Sequence, residues 1–105
     1  MSNSETNQLV LAGTVISEIK SRNTPAGIPV TRFTLEHESL QSEAGNDRKV
    51  KCRIAVTALG EQVHKDIQGI NRNAMIRVDG FISYESSQQM ETRLILHAQQ
   101  IEVLN

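Results

Sequence analysis

The stretch from Arg48 to Val56 constrains the fold more than any other part of the sequence. Its apolar residues alternate with cationic ones, so that Val50, Cys52 and Ile54 fall on one side of an extended chain. This period of two predicts a strand with one buried face. An apolar strand face has to be covered by another layer of structure, so we expect a sheet that folds back over it.

The other side of this predicted strand carries Lys49, Lys51 and Arg53, and Arg48 precedes it. These four residues make up over a third of the eleven Lys and Arg in the chain. The formal net charge is −1, so affinity for a polyanion has to come from local clustering of this kind. At this point two interpretations stay open. The stripe either binds an anion, or it is solvated surface that discourages edge-to-edge strand pairing.

Length and composition predict one small domain. A chain of 105 residues supports a single core, and we expect a flexible N-terminal tail over residues 1–7 and one domain over residues 8–105. The single cysteine, Cys52, lies on the apolar side of its strand and is expected to be buried in a protein of a reducing compartment. No signal-peptide pattern or membrane-spanning apolar run is found, which predicts a cytoplasmic protein that does not bind membranes.

The remaining periodicity predicts four more strands and one helix. Alternating apolar residues favour strands over 9–19, 30–38, 74–84 and 92–104. Between Thr57 and Gly69 apolar residues recur every four positions, which indicates a short helix. Gly13 and Gly80 mark bends within strands. The pattern favours an all-β protein, a five-stranded OB-fold Greek-key barrel with the helix between strands three and four. An open α+β sheet is the alternative.

Residue types needed for catalysis do not cluster in the sequence. His37, His64 and His97 are far apart, and one cysteine does not suffice for a thiolate metal site. No phosphate-binding glycine loop or nucleophile motif is found. We therefore expect a protein without enzymatic activity, metal or cofactor.

An OB barrel uses the outer faces of its second and third strands, with two flanking loops, to bind oligonucleotides. Lys20 and Arg22 fall in the first of these loops, and Arg93 follows the second. The expected DNA-binding cations are Arg22, Arg32, Arg48, Lys49, Lys51, Arg53 and Arg93. Tyr84 is the candidate for base stacking. Such a surface binds the phosphate backbone, so its affinity should depend on salt.

Six segments are similar to those of a known family: LVLAGTV at 9–15, PAGIP at 25–29, FTLEHES at 33–39, EAG at 43–45, GFIS at 80–83 and LHAQQIE at 96–102. In this order and spacing they resemble the bacterial primosomal replication protein N (PriB) family, relatives of single-stranded DNA-binding protein. The resemblance implies a homodimeric OB-fold without catalytic activity. It also implies binding to single-stranded DNA, to the PriA helicase and to other primosome proteins during replication restart at stalled forks.

The resemblance is weaker at the DNA surface. Better-known members carry aromatic residues at the positions of Asn46 and Lys51, lysines at those of Ser86 and Gln88, and an arginine at that of Glu38. The matching cations are Arg22, Arg48 and Arg93, whereas Lys49 and Arg53 are additional. DNA binding is therefore expected to depend more on charge than on stacking. The alternative is a dimeric protein-interaction OB module that binds DNA weakly.

Overall fold

The structure is a computed structural model that describes residues 4–86 and 92–105. The described residues form six strands and one helix. The strands are β1 (Leu9–Val15), β2 (Lys20–Asn23), β3 (Pro29–Glu43), β4 (Asn46–Leu59), β5 (Met75–Ser86) and β6 (Thr92–Val103), and the helix is α1 (Glu61–Ile67). Most of the predicted polar loop over 85–91 lies outside the described residues.

Five of the strands close into a barrel in the order β1-β5-β6-β4-β3. The ring is closed by β1 and β3, where Thr14 pairs with Glu36 and Val15 with Leu35. The helix α1 follows β4, the third barrel strand, so the predicted five-stranded OB barrel with its single helix is confirmed. The sixth strand, β2, pairs with β3 outside the ring.

Alternate residues of each barrel strand point inward and form one core. Val15, Leu35, Ile76 and Leu96 are fully buried in it. The helix α1 adds Val63 and Ile67 to the same cluster, together with further residues of β3 to β6. Burying these side chains contributes roughly 1.5–3 kcal/mol each relative to leaving them exposed.

Both predicted strand bends coincide with close backbone contacts. A Cβ atom on Gly13 would lie 2.3 Å from the carbonyl oxygen of Glu36, and one on Gly80 would lie 1.8 Å from that of His97. The register of β5 and β6 also shifts between Asp79 and Gly80. Only glycine allows strands to approach so closely at these corners.

The hairpin of β3 and β4 extends beyond the barrel. Its pairing continues to Glu43 and Asn46, whereas β1 pairs with β3 only as far as Glu36. Cys52, opposite His37 in this extension, is exposed. The prediction that Cys52 is buried is therefore wrong. Its strand alternates as predicted, but among the described residues no second layer covers the apolar side beyond the end of the barrel.

The segment predicted as the first binding loop contains β2. Lys20 lies opposite Arg32, and Arg22 lies opposite Val30. Direct cross-strand partners share a face, so Lys20 and Arg22 lie on the same side of the sheet as Arg32. Pairing fixes their position more firmly than a loop would.

Candidate nucleic-acid interface

The basic stripe of β4 lies on the outer face, as predicted. Lys49, Lys51 and Arg53 are all exposed, and their partners on β3 are Leu40, Glu38 and Glu36 in the same order. Because the strand alternates, Arg48 points to the other face. Its Nη1 donates to Glu43 Oε2 at 2.9 Å near the hairpin turn.

Register places acids directly opposite Lys51 and Arg53, two of the three cations of the stripe. Arg53 Nε donates to Glu36 Oε2 at 2.7 Å, and Lys51 Nζ lies 3.3 Å from Glu38 Oε1 and 4.0 Å from Glu36 Oε1. Cross-strand pairs of opposite charge stabilise a sheet, although exposed pairs contribute only about 0.2–1 kcal/mol. The stripe is therefore a cross-strand ladder of paired charges. In the described ranges, Lys49 and Arg22 form no ion pair.

A cleft of about 470 Å³ continues this face, between the segment after β1 and strands β3, β4 and β6. Its described lining includes four cationic side chains and two carboxylates, which leaves a formal excess of two positive charges. These residues are Lys20, Arg32, Arg72, Arg93, Glu18 and Glu85. The outer surface of a protein with net charge −1 thus carries a locally positive cleft.

Glu85 bridges two of the arginines in the cleft. Arg32 Nη1 donates to Glu85 Oε1 at 3.2 Å, and Arg93 Nη2 lies 3.9 Å from Glu85 Oε2. The Nε atom of Arg32 is buried and has no hydrogen-bond partner among the described residues. A buried N–H without an acceptor is unfavourable.

Sequence reasoning missed Arg72 and did not anticipate the acids that face the stripe. Arg72 falls between the predicted helix and the next predicted strand, in a segment whose composition indicates only a turn. That turn is fixed to the end of β1, because Asn73 N donates to Val15 O at 2.7 Å and Val15 N donates to Ala74 O at 2.9 Å. This anchoring brings Arg72 to the cleft. The acids of β3 are visible in the sequence, but their pairing depends on strand register.

Tyr84 does not line the cleft. It is 73% exposed and lies opposite Leu94, while the next pair along, Glu85 and Arg93, falls on the other face of the β5–β6 hairpin. Ser86 lies at the end of β5, and Gln88 lies outside the described residues. The structure therefore does not bring all of the expected site residues together. Arg32 and Arg93 meet in the cleft and the β4 stripe adjoins it, whereas Arg48 and Tyr84 point to other faces.

The histidines have local partners. His37 contacts the carbonyl oxygen of Ala12 at 2.6 Å and the Ser39 hydroxyl at 2.7 Å, and His97 contacts the Ser83 hydroxyl at 2.6 Å. Within residues 4–86 and 92–105, no group of three His, Cys, Asp or Glu side chains is arranged to hold a metal ion. In the same ranges, no helix has the length and apolar character needed to cross a bilayer.

Comparison with known proteins agrees with this geometry. Residues 7–100 match the profile of a family described as another single-strand binding protein family. The replication restart protein PriB of Proteus mirabilis is 39% identical over 99 residues, which cover 94% of each chain.

Two solved structures share the fold. The PriB protein of Ralstonia solanacearum superposes with a TM-score of 0.75 at 23% identity, covering 93% of this chain and 98% of its own. A Plasmodium falciparum single-strand binding protein, solved with single-stranded DNA, gives a TM-score of 0.76 at 15% identity over the full length of both chains. The profile match and the identity to replication restart proteins show that the chain belongs to the PriB family of single-strand binding proteins.

Proposed function

We propose that this chain is a single-stranded DNA-binding accessory protein of replication restart, without catalytic activity of its own. The observation that carries the proposal is the positive cleft around Arg32 and Arg93, which lies on the outer barrel face used by OB-folds for oligonucleotides. Phosphate oxygens would accept hydrogen bonds from these guanidinium groups. The β4 stripe would extend the same track.

The same proposal includes the partners that the family resemblance implies. We infer a cytoplasmic homodimer that docks the PriA helicase and other primosome proteins. The edge of β1 supports the dimer: its residues before Thr14 pair with β5 but not with β3 in the described structure. Such an edge, with Val10 half exposed, is suited to pairing with a second copy of the chain.

A second candidate function is a protein-interaction module that binds DNA only weakly. The cross-strand ladder favours it, because Glu36, Glu38 and Glu85 already neutralise much of the positive charge of the interface. Carboxylates beside the cations also repel an incoming phosphate. The helicase would then be the main ligand, and the DNA contacts would matter chiefly within the assembled complex.

Titration of a fluorescently labelled single-stranded oligonucleotide, with and without the helicase, distinguishes the two functions. DNA binding by the isolated chain that weakens steeply between about 50 mM and 200 mM salt supports the first. Binding that needs the helicase at both salt concentrations supports the second. No binding to either ligand would contradict both proposals.

A further inference from the structure

An aromatic pair on the outer face lies outside the cleft. The rings of Phe81 on β5 and His97 on β6 are stacked, with centroids 4.9 Å apart and an interplanar angle of 9°. Phe81 is nevertheless 38% exposed. Phenylalanine is usually buried, so a flat, partly solvated ring on a barrel surface is a candidate contact for a ligand.

The pair is held in a fixed orientation. The Ser83 hydroxyl and His97 Nε2 are 2.6 Å apart, and this hydrogen bond sets the plane of the imidazole ring against which Phe81 stacks. All three residues project from paired strands, at neighbouring positions in the β5–β6 register. A surface that is already ordered loses little conformational entropy when a ligand binds to it.

Strand register connects this pair to the positive cleft. Arg32 lies opposite Thr57, Thr57 is the partner of His97, and His97 lies opposite Phe81. These residues form one row across β3, β4, β6 and β5 on the outer face. With neighbouring strands about 4.8 Å apart, the row spans roughly 14 Å, a distance that a few nucleotides can cross.

The groove beside the pair is chemically unlike the cleft. It has a volume of about 450 Å³ and shares Thr57 with the cleft. Its lining includes the side chains of Leu59, Val63, Phe81 and His97. Among its described lining residues there is one carboxylate, Glu61, and no lysine or arginine. Leu59 is 58% exposed. The groove therefore lacks groups that attract phosphate but offers apolar and aromatic surface to a base.

We propose that single-stranded DNA continues from the cleft onto the Phe81–His97 pair, where a base stacks on Phe81. This inference rests on the proposed DNA-binding function and adds a stacking site to it. Stacking accepts any base, because every base has a π-face. The pair would thus supply the aromatic contact that Asn46 and Lys51 do not provide on the β3–β4 hairpin.

Fluorescence of Phe81→Trp reports on this contact directly, because the chain has no tryptophan. We expect an unlabelled oligothymidine to quench the indole emission of this variant in a saturable manner. The matched control is Tyr84→Trp, which places an indole on the other face of the same strand and should not be quenched. Quenching of neither indole by an oligonucleotide that binds would overturn the proposal.

Phe81→Leu tests how much base stacking contributes to DNA affinity, because it removes the aromatic ring while keeping an apolar side chain in place. Its affinity for single-stranded DNA should fall about fivefold or more. The dependence of affinity on salt should stay unchanged, since no phosphate contact is lost. An affinity equal to that of the unmodified chain would overturn the assignment of the exposed pair to DNA.

The two proposals fail in different ways. If the unmodified chain binds the oligonucleotide but Phe81→Leu has full affinity and Phe81→Trp is not quenched, the stacking site is wrong and DNA binding stands. If the unmodified chain does not bind DNA at about 50 mM salt, DNA binding by the isolated chain and the stacking site are both contradicted.

Discussion

Arg53 Nε and Glu36 Oε2 lie 2.7 Å apart across the β3–β4 hairpin, and Glu36 is the less exposed partner, with 18% of its side chain accessible compared with 67% for Arg53. The carboxylate also lies 4.0 Å from Lys51. One acid therefore lies within ion-pair distance of two of the three cations of the β4 stripe. A phosphate that binds this stripe has to compete with Glu36.

Removing this competitor should strengthen DNA binding. We expect Glu36→Gln to raise the affinity for single-stranded DNA at low salt by between about 1.5- and 5-fold, the range set by surface ion pairs of 0.2–1 kcal/mol. Fluorescence anisotropy with a labelled oligonucleotide measures the change.

Glu102→Gln provides the matched control, because Glu102 also forms a cross-strand ion pair, with Arg77 on β5, away from the cleft. Its affinity should equal that of the unmodified chain. Equal gains in affinity in the two variants would mean that DNA binding depends only on the net charge of the protein. Weaker binding of Glu36→Gln would contradict the competition.

At Lys51 a substitution can replace a charged side chain with one that stacks on a base. Lys51→Trp should add base stacking, which contributes about 1–3 kcal/mol per base, and remove one phosphate contact. We expect a log–log salt slope flatter by about 0.7 together with higher affinity at physiological salt. Lys51→Ala should show the flatter salt slope without the higher affinity. If both variants bind like the unmodified chain, Lys51 is ordinary solvated surface.

Gly13 determines how closely β1 approaches β3. In Gly13→Ala the added Cβ would lie 2.3 Å from the Glu36 carbonyl oxygen, so the strands have to separate where the barrel closes. We expect a loss of about 1–3 kcal/mol in the free energy of unfolding, measured by urea denaturation. Gly45→Asn is the control: Gly45 has a φ of 80° and open space around it, and asparagine tolerates that conformation. An equal loss in both variants would argue against the close contact.

Cys52 should react with a thiol reagent in the native state, because its side chain is exposed on the hairpin extension. We expect complete labelling without denaturant at low protein concentration. Slower labelling as the concentration rises would indicate that a second copy covers the hairpin. A thiol that reacts only after unfolding at every concentration would show that the described exposure is incorrect.

The sequence predicted the barrel well because every barrel strand carries a clear period of two and the two bends carry glycine. The predicted burial of Cys52 was wrong, because alternation indicates which side chains share a face but not where the opposing layer of the barrel ends. The ladder of paired charges also could not be predicted from the sequence. Glu36 and Arg53 are 17 residues apart, and only the hairpin register makes them neighbours. Arg72 reaches the cleft through hydrogen bonds of its turn, which no local pattern indicates.

The salt dependence of single-stranded DNA binding tests the central claim most directly, since that claim assigns binding to the outer-face cations. Affinity should be measured from about 50 mM to 200 mM salt for the unmodified chain, Arg93→Ala, Arg53→Ala and the distant control Arg77→Ala. Contact with at least three phosphates predicts a log–log slope of about −2 or steeper. Arg93→Ala and Arg53→Ala should each flatten it by about 0.7, and Arg77→Ala should not. A slope near zero, or one that all three variants change equally, would contradict the account.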